Sequence, residues 1–414
     1  MNTDYLSNRS PEQVTLRLSR SEVNRVVNEE LHRSALSIGV MVISELLEHE
    51  VERLCGERRR RNEQRQAYRY GTQPGYVVLG TQKVRLERPR VRTKDGKREV
   101  QLEVYRRLQQ RDVIDKAVMR RLVRGVSCRS YGAVIDTIRE SVGVSRSSVS
   151  SAFVRASEQR VREFYARRFE GTRFGAIFID GVQFKRQTVI VAIGVRAEGS
   201  KVVLSVRHGA TENAQVCMDL LEELRERGVC TEVPTLFVLD GSKALRAAVE
   251  RVWGECAVVQ RCRLHKIRNV RAYVPENLWG EVLDQMRSAY AERDVAKARR
   301  RLMTLARWLD RVAPAAARSL REGLEETLTV AALRLPAKLA RSLTSTNIVE
   351  SPFERVRSIT RRITRWNGDM RIRWSVTALI EAEQRFIRIS GADCTDKLIA
   401  ALDRLRPSTQ RKSA

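Results

Sequence analysis

Apolar positions recur at helical spacing from Ser21 to Cys55, where Val26, Leu31, Leu36, Ile38, Met41, Ile43, Leu46 and Leu47 make a broad stripe. Ser21 followed by Glu22 gives that helix a start. From Tyr70 to Arg92 the texture changes. Gly71, Pro74, Gly75 and Gly80 punctuate short stretches such as Tyr76-Val77-Val78-Leu79 and Val84-Arg85-Leu86, which predicts a small β-hairpin or meander with basic residues on one face. Helical spacing returns between Val118 and Phe164. Tyr131 to Val142 carries Val134, Ile135 and Ile138 on one face, Gly143 breaks it, and Ser145 is placed to cap a second helix from Arg146 to Val161. The pair reads as a helix-turn-helix.

A strand-rich pattern begins at Phe174. Ala176 to Ile179, Thr188 to Val195 and Lys201 to Val206 read as three strands, with Ala197-Glu198-Gly199-Ser200 as the hairpin turn between the second and third. A helix from Asn213 to Arg227, a strand from Thr235 to Leu239, a helix from Ser242 to Val252 and a short strand from Ala257 to Gln260 follow. Three meandering strands, then alternating helix and strand, define an RNase H-like α/β core with a mixed sheet. In that architecture the tips of the first and fourth strands lie side by side. After Val274-Pro275 the chain becomes rich in Ala, Arg and Leu, which predicts an all-helical insertion to Leu343. Phe353 to Ile389 is again helical apart from a break at Asn367-Gly368.

The expected division is an N-terminal helical region at 1–69, a small β-rich segment at 70–110 and a helix-turn-helix DNA-binding region at 111–170. The first part of the core follows at 171–275, then the helical insertion at 276–343. The end of the core takes 344–390, and a basic C-terminal tail 391–414, with disorder expected after Arg404.

Charge narrows the partner. The chain has 78 Lys+Arg against 50 Asp+Glu, a formal charge of +28. So positive a chain repels itself unless its working partner is a polyanion. Arg outnumbers Lys, which suits bidentate phosphate contacts. A membrane partner is excluded on this reading. No apolar run approaches the ~20 residues of a spanning helix, and the N-terminus has no signal-peptide core. Seven scattered cysteines form no disulfide framework, which points to a reducing cytosol.

Three acidic residues carry the chemistry. Asp180 ends the run Phe178-Ile179-Asp180-Gly181, and Asp240 ends Leu236-Phe237-Val238-Leu239-Asp240-Gly241. A carboxylate at the tip of a buried strand is held rigidly over the cleft beyond the sheet, and the Gly after it lets the backbone turn. Glu350 lies downstream in Ser345-Thr346-Asn347-Ile348-Val349-Glu350-Ser351. Its rival is Glu354, but Ser351-Pro352-Phe353-Glu354 fits a capping box with Pro at the first helical position, leaving Glu350 free just before the helix. Such carboxylates hold a pair of Mg²⁺ (or Mn²⁺) ions, and two metals suit in-line attack on a phosphodiester.

The surrounding residues leave more than one reading. Cys262 and His265 are spaced like half a zinc site, and Cys256 is the nearby candidate for the missing half. Arg261, Arg263, Lys266 and Arg268 make a phosphate-binding stripe around them. Arg146, Ser147 and Ser148 open the second helix of the helix-turn-helix, either to reach base edges or as part of plain helix packing. Trp366 follows Arg361 and Arg362, and Trp374 follows Arg371-Ile372-Arg373. Each Trp either stacks on unpaired bases or belongs to the core.

Together the Asp-Gly motifs at 180 and 240, the stretch from Gln260 to Asn269 and the stretch from Thr346 to Ser351 resemble the Mutator-type DDE transposases of bacterial insertion sequences. The order matches, and so does the spacing of 60 residues from Asp180 to Asp240 and 110 from Asp240 to Glu350. The resemblance covers residues 60 to 385. It implies that Asp180, Asp240 and Glu350 form a catalytic triad holding two Mg²⁺ (or Mn²⁺) ions, and that 276–343 is the family's insertion. It also implies that His265 contacts the scissile phosphate or a flipped base. Pro352 stands where the family usually has Leu, which leaves open whether Glu350 lies on the helix or on its lead-in. The expected partners are double-stranded DNA, as transposon ends and target, and a second copy of the chain. Two ends must be held together, so a homodimer or higher homo-oligomer is expected, with the Ser21–Cys55 helix as part of the interface or folded back on its own catalytic core. The expected location is the bacterial cytoplasm, at the nucleoid. The alternatives are a structure-specific nuclease of the same fold and a sequence-specific DNA-binding protein without catalysis.

Overall fold

A computed structural model describes residues 20–60, 63–79, 82–109, 112–124, 141–142, 146–184, 187–209, 214–360 and 369–406. It is a mixed α/β structure. The chain divides into two compact units, Met1–Val118 with Val126–Phe153, and Met119–Gly125 with Val154–Ala414.

The first unit is built on helix α1 (Arg20–Cys55) and the antiparallel strands β1 (Ala67–Leu79) and β2 (Gln82–Thr93), with β3 (Glu99–Val100) paired to β2. Ile43, Leu47, Val51 and Cys55 recur every four residues, so they share one helix face, and that face is buried with Val77, Leu86, Val91, Leu102 and Tyr105. Along β2 the buried Val84 and Leu86 alternate with Lys83 and Arg85, as the period of two requires. Glu50 of α1 accepts the N–H groups of Glu103 and Val104 at 2.8 and 2.9 Å, tying down the short helix α2 (Glu103–Arg107). The opposite side of α1 stays open: Ile38, Met41, Val42 and Leu46 are exposed. The buried part of the predicted stripe packs on the strands of this same unit.

Helix α3 (Asp112–Val123) precedes the predicted helix-turn-helix. Its first helix and turn lie outside the described residues except for Ser141 and Val142, which correct the reading. They form a strand, β4 (Ser141–Val142), paired with Lys83 and Val84 of β2, and do not continue a helix. β-branched Val142 suits that pairing. The second helix, α4 (Arg146–Tyr165), forms as expected.

In the second unit β5 (Phe174–Phe184), β6 (Gln187–Arg196) and β7 (Lys201–Gly209) form an antiparallel meander. Gly199, at φ 83°, takes the left-handed position of the turn between β6 and β7. Helix α5 (Ala214–Glu226) leads to β8 (Thr235–Leu239), and α6 (Lys243–Trp253) to β9 (Ala257–Arg261), both parallel to β5. The sheet order is β7-β6-β5-β8-β9. One face, with Ile177, Ile179, Phe237 and Leu239, is buried under α5 and α6 through Leu220, Leu224, Leu245 and Val249. β5 is longer than predicted. Gly181 does not turn but stays in the ladder opposite Ile190, so Asp180 lies within the strand.

Past β9 comes α7 (Arg263–Arg271), then the helical segment: α8 (Glu276–Ala291), α9 (Val295–Val312), α10 (Pro314–Arg321), α11 (Thr329–Ala332) and α12 (Ala337–Ser342). Its core is built by Val282, Met286, Leu302, Leu305, Leu309, Ala316 and Leu320, and no strand occurs among the described residues there. Helix α13 (Asn347–Thr360) packs on β5 and β6, and α14 (Met370–Glu383) on β7. Trp374 is buried in α14, so it belongs to the core and is not a stacking platform. Trp366, Arg361 and Arg362 lie outside the described residues. The expected tail is also corrected. Thr395–Asp403 forms helix α15, with Leu398, Ala401 and Leu402 buried at i, i+3, i+4 spacing.

Candidate active site

Pairing register sets the first two carboxylates. Ile177, Phe178 and Ile179 of β5 stand opposite Phe237, Val238 and Leu239 of β8 in a parallel ladder, so Asp180 and Asp240 are next in line on adjacent strands. Asp180 is buried, on the Phe178 side of the sheet and not the Ile177–Ile179 side that α5 and α6 cover. Asp240 is the first residue past β8. One of its oxygens accepts the Ser242 N–H at 2.9 Å, and Ser242 in turn caps α6 by accepting from Leu245 N–H at 3.3 Å. Gly241 between them has φ 111°, and a Cβ there would lie 2.5 Å from the Arg261 side chain. Only glycine fits this turn.

The third carboxylate arrives on α13. That helix begins at Asn347, one turn earlier than the capping-box reading gave, so Glu350 lies in its first turn and Pro352 lies inside it. The N–H groups of Val349 and Glu350 reach the Thr346 carbonyl at 2.8 and 3.1 Å, which makes Thr346 the residue that opens the helix and supersedes Ser351 in that role. Thr346 is fully buried. Its N–H and hydroxyl lie 3.4 and 3.5 Å from Cys262 Sγ, and its hydroxyl is 3.3 Å from His265 Nδ1. Cys262 is itself anchored, its N–H donating to Leu239 O at 2.7 Å. Thus the end of β8, the start of α7 and the start of α13 meet at one knot. Sequence reading missed Thr346 as the centre of that knot. The available signal was a Thr immediately before a helical run.

One ligand atom from each of Asp180, His265 and Glu350 lies within 4.8 Å of the others. Asp240, at the neighbouring strand end, is outside that set. Burial pushes the Asp180 carboxyl up to about 7, against the pull of cationic His265, while Asp240 and Glu350 add to the rise. His265 is raised to about 9, first by its hydrogen bond to Cys262, with Asp180 and Asp240 adding and burial opposing. Burial works to raise the Cys262 thiol, but hydrogen bonds from His265 and Thr346 outweigh it, and the net shift is downward. A carboxyl that resists ionisation and an imidazole that holds its proton form a charge-coupled group. Glu350 is paired with the exposed Arg268 at 2.9 Å.

The cation stripe is corrected for three of its four members. Arg261 is buried, and its Nη1 donates to the Glu322 carbonyl at 3.2 Å. Arg263 donates to the carbonyls of Thr327 and Tyr290 at 2.9 and 3.1 Å, with its guanidinium 4.7 Å over the Tyr290 ring. Lys266 is fully buried, and its ammonium donates to the carbonyls of Ser319 and Glu322, where burial lowers its pKa to about 8. These cations tie the start of α7 to the helical segment because each finds backbone carbonyls left over at helix ends. Arg268 alone of the four faces solvent. Cys256 and Cys262 are free thiols, and neither belongs to a group of three metal-ligating side chains among the described residues. On α4, Ser148 is half-buried and engaged; the side chains of Arg146 and Ser147 lie outside the described residues.

A mixed sheet that places two aspartates on adjacent strands, with a glutamate and a histidine on flanking helices, is an arrangement that can hold divalent cations next to a phosphate ester. Comparison with known families is decisive: residues 10–388 match the family model described as "Transposase, Mutator family", and the chain belongs to that family. It is similar to the transposase for insertion sequence element ISRM5 of Rhizobium meliloti (strain 1021), with 28% identity over 76% of this chain and 79% of that one. It is also similar to the ISRM3 transposase of the same strain, 28% identical over 79% and 80% of the two chains. A third relative is the IS6120 transposase of Mycolicibacterium smegmatis, 26% identical over 59% and 76%. No described helix is long and apolar enough to cross a membrane.

Proposed function

We propose that the chain is a DDE transposase with an RNase H-like catalytic core, and that it cuts one strand at each end of its element and joins the freed 3′-OH to target DNA. The observation that carries this reading is the convergence of Asp180, Asp240 and Glu350. Two lie on adjacent strands in one register, and the third comes within 4.8 Å of the first from a separate helix. The antiparallel β5-β6-β7 meander extended by parallel β8 and β9 supports the RNase H-like assignment.

The donor set fits a hard divalent cation, since it offers carboxylate oxygens around a buried acid. Asp180, Asp240 and Glu350 would hold Mg²⁺ or Mn²⁺, two ions in all, which when bound lower the pKa of the attacking water and offset charge on the phosphodiester. The protein's own residues do the rest. Thr346 and Cys262 fix the position of His265. His265, held by Thr346 and Cys262 beside Asp180, is placed to donate to a phosphate oxygen. Water and the 3′-OH act in turn as nucleophiles, so no covalent protein intermediate is required.

End recognition belongs, on this reading, to the first unit and to α4, with Arg146, Ser147 and Ser148 at the helix start. Two ends held together call for at least two copies, and the exposed side of α1 with Ile38, Met41, Val42 and Leu46 is the surface that would join them. The test is a strand-transfer reaction with a duplex carrying the terminal inverted repeats and a supercoiled target. Joint molecules that form with Mg²⁺ and vanish with chelator support the reading. Cleavage without joining would favour a structure-specific nuclease, and neither would leave a DNA-binding protein.

A further inference from the structure

Beside the carboxylate cluster, the second unit has a groove of about 1080 Å³ between the α8–α9 connection and the α11–α12 connection. Thr344 and Arg263 form part of its lining, and the Arg263 N–H donates to the Thr344 carbonyl at 2.9 Å. Thr344 is two residues from Thr346 and Arg263 two from His265, so this wall of the groove is continuous with the catalytic knot. The volume lies above the ~300–1,000 Å³ usual for small-molecule pockets, which suits a length of polymer.

Its lining is cationic in effect. Arg293, Arg334 and Arg341 line the groove and are exposed, and none has a carboxylate partner among the described residues. The two acids of the lining are already engaged. Glu292 pairs with Lys297 and Arg301 at 3.3 and 3.0 Å, and Asp294 caps α9 by accepting the Lys297 N–H at 3.0 Å. Arg334 has φ 52°, a conformation that side chains with a Cβ seldom adopt and that folds tend to keep where it is used. The one aromatic ring of the lining, Tyr290, has the Arg263 guanidinium 4.7 Å over one face and is partly buried, so the lining has no fully exposed ring on which an unpaired base could stack.

We propose that Arg293, Arg334 and Arg341 bind the phosphodiester backbone of duplex DNA beside the scissile phosphate, the groove carrying the strand away from the active site. This rests on the transposase reading given above. Three guanidiniums with no carboxylate partner among the described residues match a run of phosphates, and the absence of a fully exposed ring in the lining favours a duplex over a single strand.

The test is binding of a fluorescein-labelled 40-base-pair random duplex by the full chain across a salt series, beside a single strand of equal length. For R293A/R334A/R341A the slope of log affinity against log salt should fall in magnitude by about 2–3, since each lost phosphate contact removes ~0.9. The matching triple Lys variant should keep most of the slope, because charge is retained. Nicking at saturating enzyme should shift in position or efficiency for the Ala variant. Should the triple variant fail to fold by circular dichroism, R293A alone reads the same effect at about one unit. An unchanged slope in a wild-type-like fold, or loss confined to the single strand, overturns the groove assignment while the transposase reading stands. If the wild-type chain neither binds nor nicks duplex DNA, both fall.

Discussion

Ile179 and Leu239 are partners in the parallel ladder between β5 and β8, and that pairing brings Asp180 and Asp240 to the same level at neighbouring strands. A one-residue slip of register would move Asp180 to the other face of the sheet, under α5 and α6. The site thus depends on the packing of the sheet core as directly as on its own side chains.

Asp180 should destabilise the protein when it is ionised without a cation. Its carboxyl is pushed up to about 7, above its ordinary value, so the folded state binds more protons than the unfolded one between about pH 4 and 7. Stability should therefore fall as pH rises through that window. In chelator at pH 8, Asp180→Asn is expected to be more stable than wild type by on the order of 2–4 kcal/mol in urea unfolding. The gap should close near pH 4, and Mg²⁺ should stabilise wild type alone. A gap independent of pH would contradict the burial argument.

Gly241 tests the turn that delivers Asp240. A Cβ there would collide with the Arg261 guanidinium at 2.5 Å, in a backbone conformation at φ 111° that alanine resists. Gly241→Ala should cost roughly 2–4 kcal/mol of stability and lower cleavage more than tenfold at temperatures where the variant is folded. A variant with wild-type melting and activity would show that the turn is not constrained.

Lys266 separates bracing from DNA contact. Its ammonium serves the carbonyls of Ser319 and Glu322 in a buried setting. Lys266→Ala should cost about 2–4 kcal/mol, because two buried acceptors lose their donor. The salt dependence of DNA binding by the folded variant should not change. A shallower salt slope with intact stability would restore the phosphate-contact reading.

Much of this was legible in the chain. Unbroken apolar runs such as Leu236 to Leu239 located the buried strands, and the Asp-Gly motif at 240 marked the end of β8, whereas the one at 180 proved to lie within β5. The cation stripe was not legible. Lys266, Arg261 and Arg263 look like surface charges in one dimension, and only the fold reveals the helix-end carbonyls of Ser319, Glu322 and Thr327 that hold them. Pro352 misled in the same way. A proline suggests a first helical position, yet Thr346, anchored to Cys262 and His265, starts the helix a turn earlier. The C-terminal α15 was lost to the basic composition around it, although Leu398 and Leu402 carry its apolar face.

Glu354 decides the third acid. It is exposed one turn beyond Glu350 on α13, outside the set that Asp180, His265 and Glu350 form. Glu354→Gln should cleave end DNA within about threefold of wild type, and Glu350→Gln should be reduced by at least a factor of about 10³. The reverse pattern in folded proteins would transfer the role to Glu354.

The central claim is that Asp180, Asp240 and Glu350 act together in metal-dependent strand cleavage. The most direct measurement is single-turnover nicking of a labelled terminal-repeat duplex in Mg²⁺ by Asp180→Asn, Asp240→Asn and Glu350→Gln, with duplex affinity measured on the same samples. Each variant should bind within a few-fold of wild type and nick at least about 10³-fold more slowly. Near-normal nicking by any one of the three, with the fold intact, would contradict the account.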